Sequence, residues 1–134
     1  MLRSMTIMAA AATLLLTGTA HAQTPDPSND GPPAYLVKDM TDYSASYKAE
    51  MAEGGQAMQA AGVSENAKDI PAACTSARTA LGDYTKAHDS TVAMIAELNK
   101  AGDSADADDM ANALPDLTTL VNDSQATVDR TCKA

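Results

Sequence analysis

The chain has 134 residues, with 18 acidic against 9 basic side chains and a net charge of −9. A protein this acidic is repelled by nucleic acid and by anionic membrane surfaces, and no basic patch offsets that. There is no Trp, no Phe and only 4 Tyr, so any core is built mainly from small aliphatic side chains.

Residues 1–22 carry the three parts of a secretory signal. Arg3 is the positive n-region, Ile7 to Leu16 is uncharged and almost wholly apolar, and Ala20-His21-Ala22 is a small-residue cleavage site. The apolar stretch is about half the roughly 20 residues needed to span a bilayer. Cleavage is therefore expected, with no stable membrane insertion afterwards. The short h-region points to a periplasmic or secreted address. Cleavage removes Arg3 and His21, leaving a more acidic chain with His88 as its one histidine.

Residues 23–33 hold Pro25, Pro27, Gly31, Pro32 and Pro33 among small polar residues, the composition of a disordered leader. Residues 34–134 are expected to form one helical domain. Its first apolar seam is Leu36, Met40, Tyr43, Tyr47, Met51, Gly54, Met58 and Ala61, in steps of three and four that share a helix face. Gly62 suits the position just past a helix end. Gly54-Gly55 predicts a bend, because each glycine costs a helix about 1 kcal/mol relative to alanine.

A second helix is expected from Ile70-Pro71, since proline suits a first turn. Its seam is Ile70, Cys74, Ala77, Leu81, Tyr84, His88, Thr91, Ile95 and Leu98, ending near Lys100 and Gly102. A third opens after Asp103-Ser104, either of which can cap it, with Asp106, Asp108 and Asp109 at its positive dipole end. Its seam is Met110, Leu114, Leu117, Val121, Val128 and Cys132, interrupted by Ser124 or Gln125. Pro115 should kink or split it.

These elements predict an all-α fold, an elongated up-down-up antiparallel three-helix bundle. Breaks at Gly54-Gly55 or Pro115 would give a four-helix variant. Cys74 and Cys132 are the only cysteines, and the midpoint of 74 and 132 falls at residue 103, the expected turn between helices 2 and 3. An antiparallel hairpin turning there brings them face to face. In an oxidising compartment they form a disulfide, worth about 4 kcal/mol by loop-closure entropy. Their wide separation does not suit catalytic thiol chemistry, which favours C-x-x-C spacing.

The same mirror geometry gathers Tyr43, Tyr47, Tyr84, His88, Thr118 and Asn122 at mid-bundle. They form either a buried hydrogen-bond network or a small-molecule or haem site. One histidine is too few for a standard zinc or copper centre. Met40, Met51 and Met58 have core spacing, and Met is a common gap-filler. Asp103, Asp106, Asp108 and Asp109 do not match a calcium loop, because the glycine and glutamate positions hold Asp108 and Leu114. No metal site is expected.

No phosphate loop, metalloprotease motif or nucleophile-base pair is present. The expected function is that of a non-enzymatic exported module, accessory or chaperone-like, whose partner is another periplasmic or envelope protein. The alternative is a small-molecule or haem carrier using the Tyr/His cluster.

Overall fold

The computed structural model describes residues 33–133, and the expected signal and leader lie outside the described residues apart from Pro33. The described chain is helical, with no strand: α1 Ala34–Asn66, α2 Ile70–Ala101, α3 Ser104–Ala111 and α4 Leu114–Thr131. α3 and α4 together form the third arm of an up-down-up bundle. None of these helices is long and apolar enough to cross a membrane.

The ends follow local chemistry. The Asp69 carboxylate accepts from the Ala72 N–H at 3.2 Å and caps α2, with Pro71 in the first turn, where its missing N–H matters little. Gly102 takes the left-handed conformation, φ 81°, that closes α2, and Asp103 caps α3 by accepting from the Asp106 N–H.

Two expected boundaries are corrected. α1 does not end at Ala61-Gly62 but continues to Asn66, and Lys68, at φ 61°, supplies the left-handed residue. The stop is made by backbone bonds from Lys68 N to Glu65 O and from Asp69 N to Ser64 O, a closure that does not require glycine. Nor does Gly54-Gly55 break α1. Gly54 is buried beneath Tyr84, and that contact holds the pair inside a continuous helix.

The third arm does divide near Pro115. Proline has no N–H to offer the Ala111 carbonyl, so the α-ladder lapses there. Asn112 and Ala113 keep right-handed helical angles, which makes the division a local lapse and not a reversal.

α2 is the central helix, packed directly on α1, α3 and α4. The α1 and α2 chains run in opposite directions: Leu36 clusters with Leu98, Tyr43 bonds Thr91, and Gly54 meets Tyr84. The bundle has two kinds of interior. Near the α2–α3 turn, Leu36, Met94, Leu98 and Ala107 are buried together, with Met40, Tyr43, Ile95 and Met110 around them. Toward the other end the buried apolar residues are alanines: Ala61, Ala73, Ala77 and Ala80.

Ser124, Thr127 and Thr131 of α4 are buried too, although hydroxyls score as polar in a sequence pattern. Each donates to the carbonyl four residues back, so none needs a partner on another helix. Alanine and self-satisfied hydroxyls allow close approach but bury little apolar area. The covalent link sits at this same end. Cys74, in the first turns of α2, is joined to Cys132 at the end of α4, with Cα atoms 4.9 Å apart.

Candidate functional site

The tyrosines at mid-bundle are placed by steps of three and four on α1 and α2. Tyr43 and Tyr47 stack as a tilted pair with ring centroids 5.7 Å apart. The Tyr43 hydroxyl lies 2.9 Å from Thr91 Oγ1. Thr91 already donates its one proton to the Ala87 carbonyl at 2.7 Å, so Tyr43 is the donor to Thr91. Tyr84 is buried, with its ring against Gly54. Burial pushes all three phenols above their ordinary pKa, with Asp116 adding to the effect at Tyr47 and Asp83 at Tyr84.

The other three residues expected at this level are arranged differently. His88 is partly exposed and its Nδ1 faces its neighbour Asp89 at 3.1 Å. Thr118 is exposed and donates to the Leu114 carbonyl within its own helix. Asn122 is also exposed. The six therefore do not converge on one cavity. α4 turns its small hydroxyl residues Ser124 and Thr127 inward, which rotates Thr118 and Asn122 to the outside. Among the described residues, no group of three or more His, Cys, Asp or Glu is placed to hold a metal ion.

Asp83 belongs to the same level of α2. It is 6 % exposed, and its Oδ2 has no hydrogen-bond partner among the described residues. Its Oδ1 lies 3.6 Å from the Lys86 ammonium, a loose pairing.

The open space lies nearer the α2–α3 turn. α1 and α3 both rest on α2 and leave between them a groove of about 690 Å³. Leu36, Met40, Ala45 and Leu98 supply apolar lining, and Val37, 51 % exposed, stands on its wall. Thr41 and Ser44 add hydroxyls. Asp103 and Asp106 lie at one end of the groove, and Lys48 lies about three helical turns along α1 from Leu36.

Desolvation, followed by the like charges of Asp103 and Asp109, pushes the Asp106 carboxyl above its ordinary range. None of the six mid-bundle residues lines this groove. Two signals for it exist in the sequence. Val37 is an apolar residue off the seam of α1, and Asp103 and Asp106 lie at the start of the helix that follows the turn after Gly102.

Comparison with protein-family models, with curated proteins and with solved structures finds no match.

Proposed function

We propose that this protein is a non-enzymatic binding module that docks another protein of the cell envelope, in an accessory or chaperone-like role. The observation that carries this reading is the groove between α1 and α3. Its floor is closed by the buried Leu36 and Leu98, but Val37, Thr41 and Ala45 on its wall are exposed and it opens to solvent, which suits a protein segment better than an enclosed metabolite. The mid-bundle tyrosines, by contrast, are engaged with Thr91 and Gly54.

An exported address is part of the same proposal. The Met1–Ala22 segment has the pattern of a cleaved signal. The Cys74–Cys132 disulfide is of the kind that persists outside the reducing cytosol.

Site-specific photo-crosslinking in the producing cell tests the docking surface. A crosslinker at Ala45, on the groove wall, is expected to give an adduct of one defined mass. The same group at Asn122, outside the groove, should not give it, and Val37→Gln should abolish it. Equal adducts from both positions, or none from Ala45, would overturn the proposal.

A further inference from the structure

α4 is packed unequally along its length. Leu117, near its start, is buried, with Leu114 and Leu120 half-buried on either side. From Val121 to Thr131 no large aliphatic side chain is fully buried, and Val121 and Val128 are only half-buried. The buried residues of that stretch are Ser124, Thr127 and Thr131, and each donates its hydroxyl proton within its own helix. The ion pair that ties the stretch to α1, Arg130 to Glu65, joins side chains that are 58 % and 31 % exposed, so solvent screens it. A helix this short does not hold itself in water, since isolated helices below about 12–15 residues are marginal at best. What fixes it in place is the bond from Cys132 to Cys74.

The rest of the bundle has anchors of its own. Leu36, Met94, Leu98 and Ala107 form one buried cluster, Tyr43 bonds Thr91, and the Tyr84 ring covers Gly54. None of these contacts involves the end of α4. Cys74 and Cys132 are both only half-buried, within reach of a reagent in solution.

We infer that the Cys74–Cys132 bond is a redox latch. The end of α4, from Val121 to Cys132, is docked when the pair is oxidised and undocked when it is reduced, and the α1–α2 hairpin with α3 and the start of α4 stays folded in both states. Closing is a two-electron oxidation by a protein disulfide of the C-x-x-C kind. One cysteine gives up its proton and its thiolate attacks the oxidant, which forms a mixed disulfide and releases one oxidant thiolate. The second cysteine, also deprotonated, displaces the mixed disulfide. The oxidant takes up two protons and leaves as a dithiol. Opening is the reverse exchange with such a dithiol. A reducing compartment therefore holds the arm open and an oxidising one closes it. Neither the signal segment nor the groove is needed for this, so their failure and the failure of the latch are separate results.

NMR relaxation of the full chain, oxidised and then reduced with dithiothreitol, tests the latch. On reduction the amide order parameters of residues 121–131 should fall from about 0.85 to below about 0.6, while those of Tyr43, Thr91 and Leu98 stay near 0.85. Reoxidation should restore the arm, and Cys74→Ser/Cys132→Ser should match the reduced protein without any reductant. Docking and bond formation are reciprocally linked. Thr127→Val, which puts an apolar group at a buried position of the arm, should therefore raise the equilibrium constant for disulfide formation against glutathione by about threefold.

An arm that stays ordered after reduction would overturn the inference, since the bond would then only staple a helix already docked. Loss of order throughout the reduced chain would overturn it too, because no folded open state would exist. An unchanged glutathione equilibrium in Thr127→Val would show that docking and the bond are uncoupled, with the same consequence.

Discussion

The Tyr84 ring lies so close to Gly54 that a Cβ at residue 54 would come within 2.8 Å of Tyr84 Cε1. The neighbouring Gly55 is different, since a Cβ there would meet Tyr84 Oη at an ordinary 3.8 Å. Alanine is normally the better helix residue at both positions by about 1 kcal/mol. Gly54→Ala is expected to reverse that gain and lose about 1–3 kcal/mol, because the contact is with the body of a buried ring. Gly55→Ala should gain about 0.5–1 kcal/mol. Urea denaturation of the two variants checks the pair, and equal effects of the same sign would refute the close-packing account.

The Cys74–Cys132 link closes a loop of 58 residues at the alanine-lined end of the bundle. Its removal, as the double Cys→Ala variant, should lower stability by about 4 kcal/mol. The loss should be felt first at that end. Amide exchange in the first turns of α2 and the last turns of α4 should therefore rise more than exchange around Leu98. Uniform acceleration along α2 would contradict this.

Arg130 of α4 donates from Nε and Nη2 to the two carboxylate oxygens of Glu65 in α1, at 2.6 and 3.0 Å. The hydrogen bond and charge of Arg130 hold the Glu65 carboxyl below its ordinary pKa. The folded state thus binds that proton less readily than the unfolded state, and this contribution to stability rises with pH. It is present above the ordinary carboxylate range, near about pH 4, and is lost as pH falls through the depressed folded value. Glu65→Gln should lower Tm slightly at neutral pH. The difference should vanish in strong acid and shrink in molar salt, because both side chains reach solvent. A Tm difference that persists unchanged in acid would count against the ion pair.

Asp83 is buried with one carboxylate oxygen unpartnered among the described residues. Removing an unsatisfied buried polar group relieves a desolvation penalty of about 1–3 kcal/mol. Asp83→Ala should therefore raise stability by about 1 kcal/mol, with alanine's helix propensity adding in the same direction. Thermal melts of Asp83→Ala beside Asp89→Ala, an exposed site on the same helix, test this. A destabilised Asp83→Ala would show that the carboxylate has a partner in solution.

Much of the fold was legible because helical periodicity and capping are local. The steps from Leu36 to Ala61 mark the face of α1 that is buried or half-buried, and Asp103 and Gly102 mark real ends. The cysteine pair was legible for a related reason, since an antiparallel hairpin turns a midpoint in sequence into a contact in space. The α2 seam shows where this reasoning stops. Ala77, Tyr84, Thr91 and Leu98 were correctly placed, but Ala73, Ala80, Ala87 and Met94, one position away, are buried as well. A central helix has neighbours on two sides, and alanine gives a weak signal of which faces they cover.

By itself, then, the sequence determined an acidic all-helical bundle, its direction of travel and its disulfide, because backbone propensity, period and loop closure are properties of the chain. Only the tertiary structure decided how the helices are rotated about their axes. That rotation buries Ser124, Thr127 and Thr131, whose hydroxyls are satisfied within their own helix, and it turns Thr118 and Asn122 outward. It also separates α1 from α3 near Asp103 and opens a groove where a period-based reading gives only caps and a seam. Side-chain volume and close approach across helices settle that rotation, and neither is encoded in the spacing of residues along one helix.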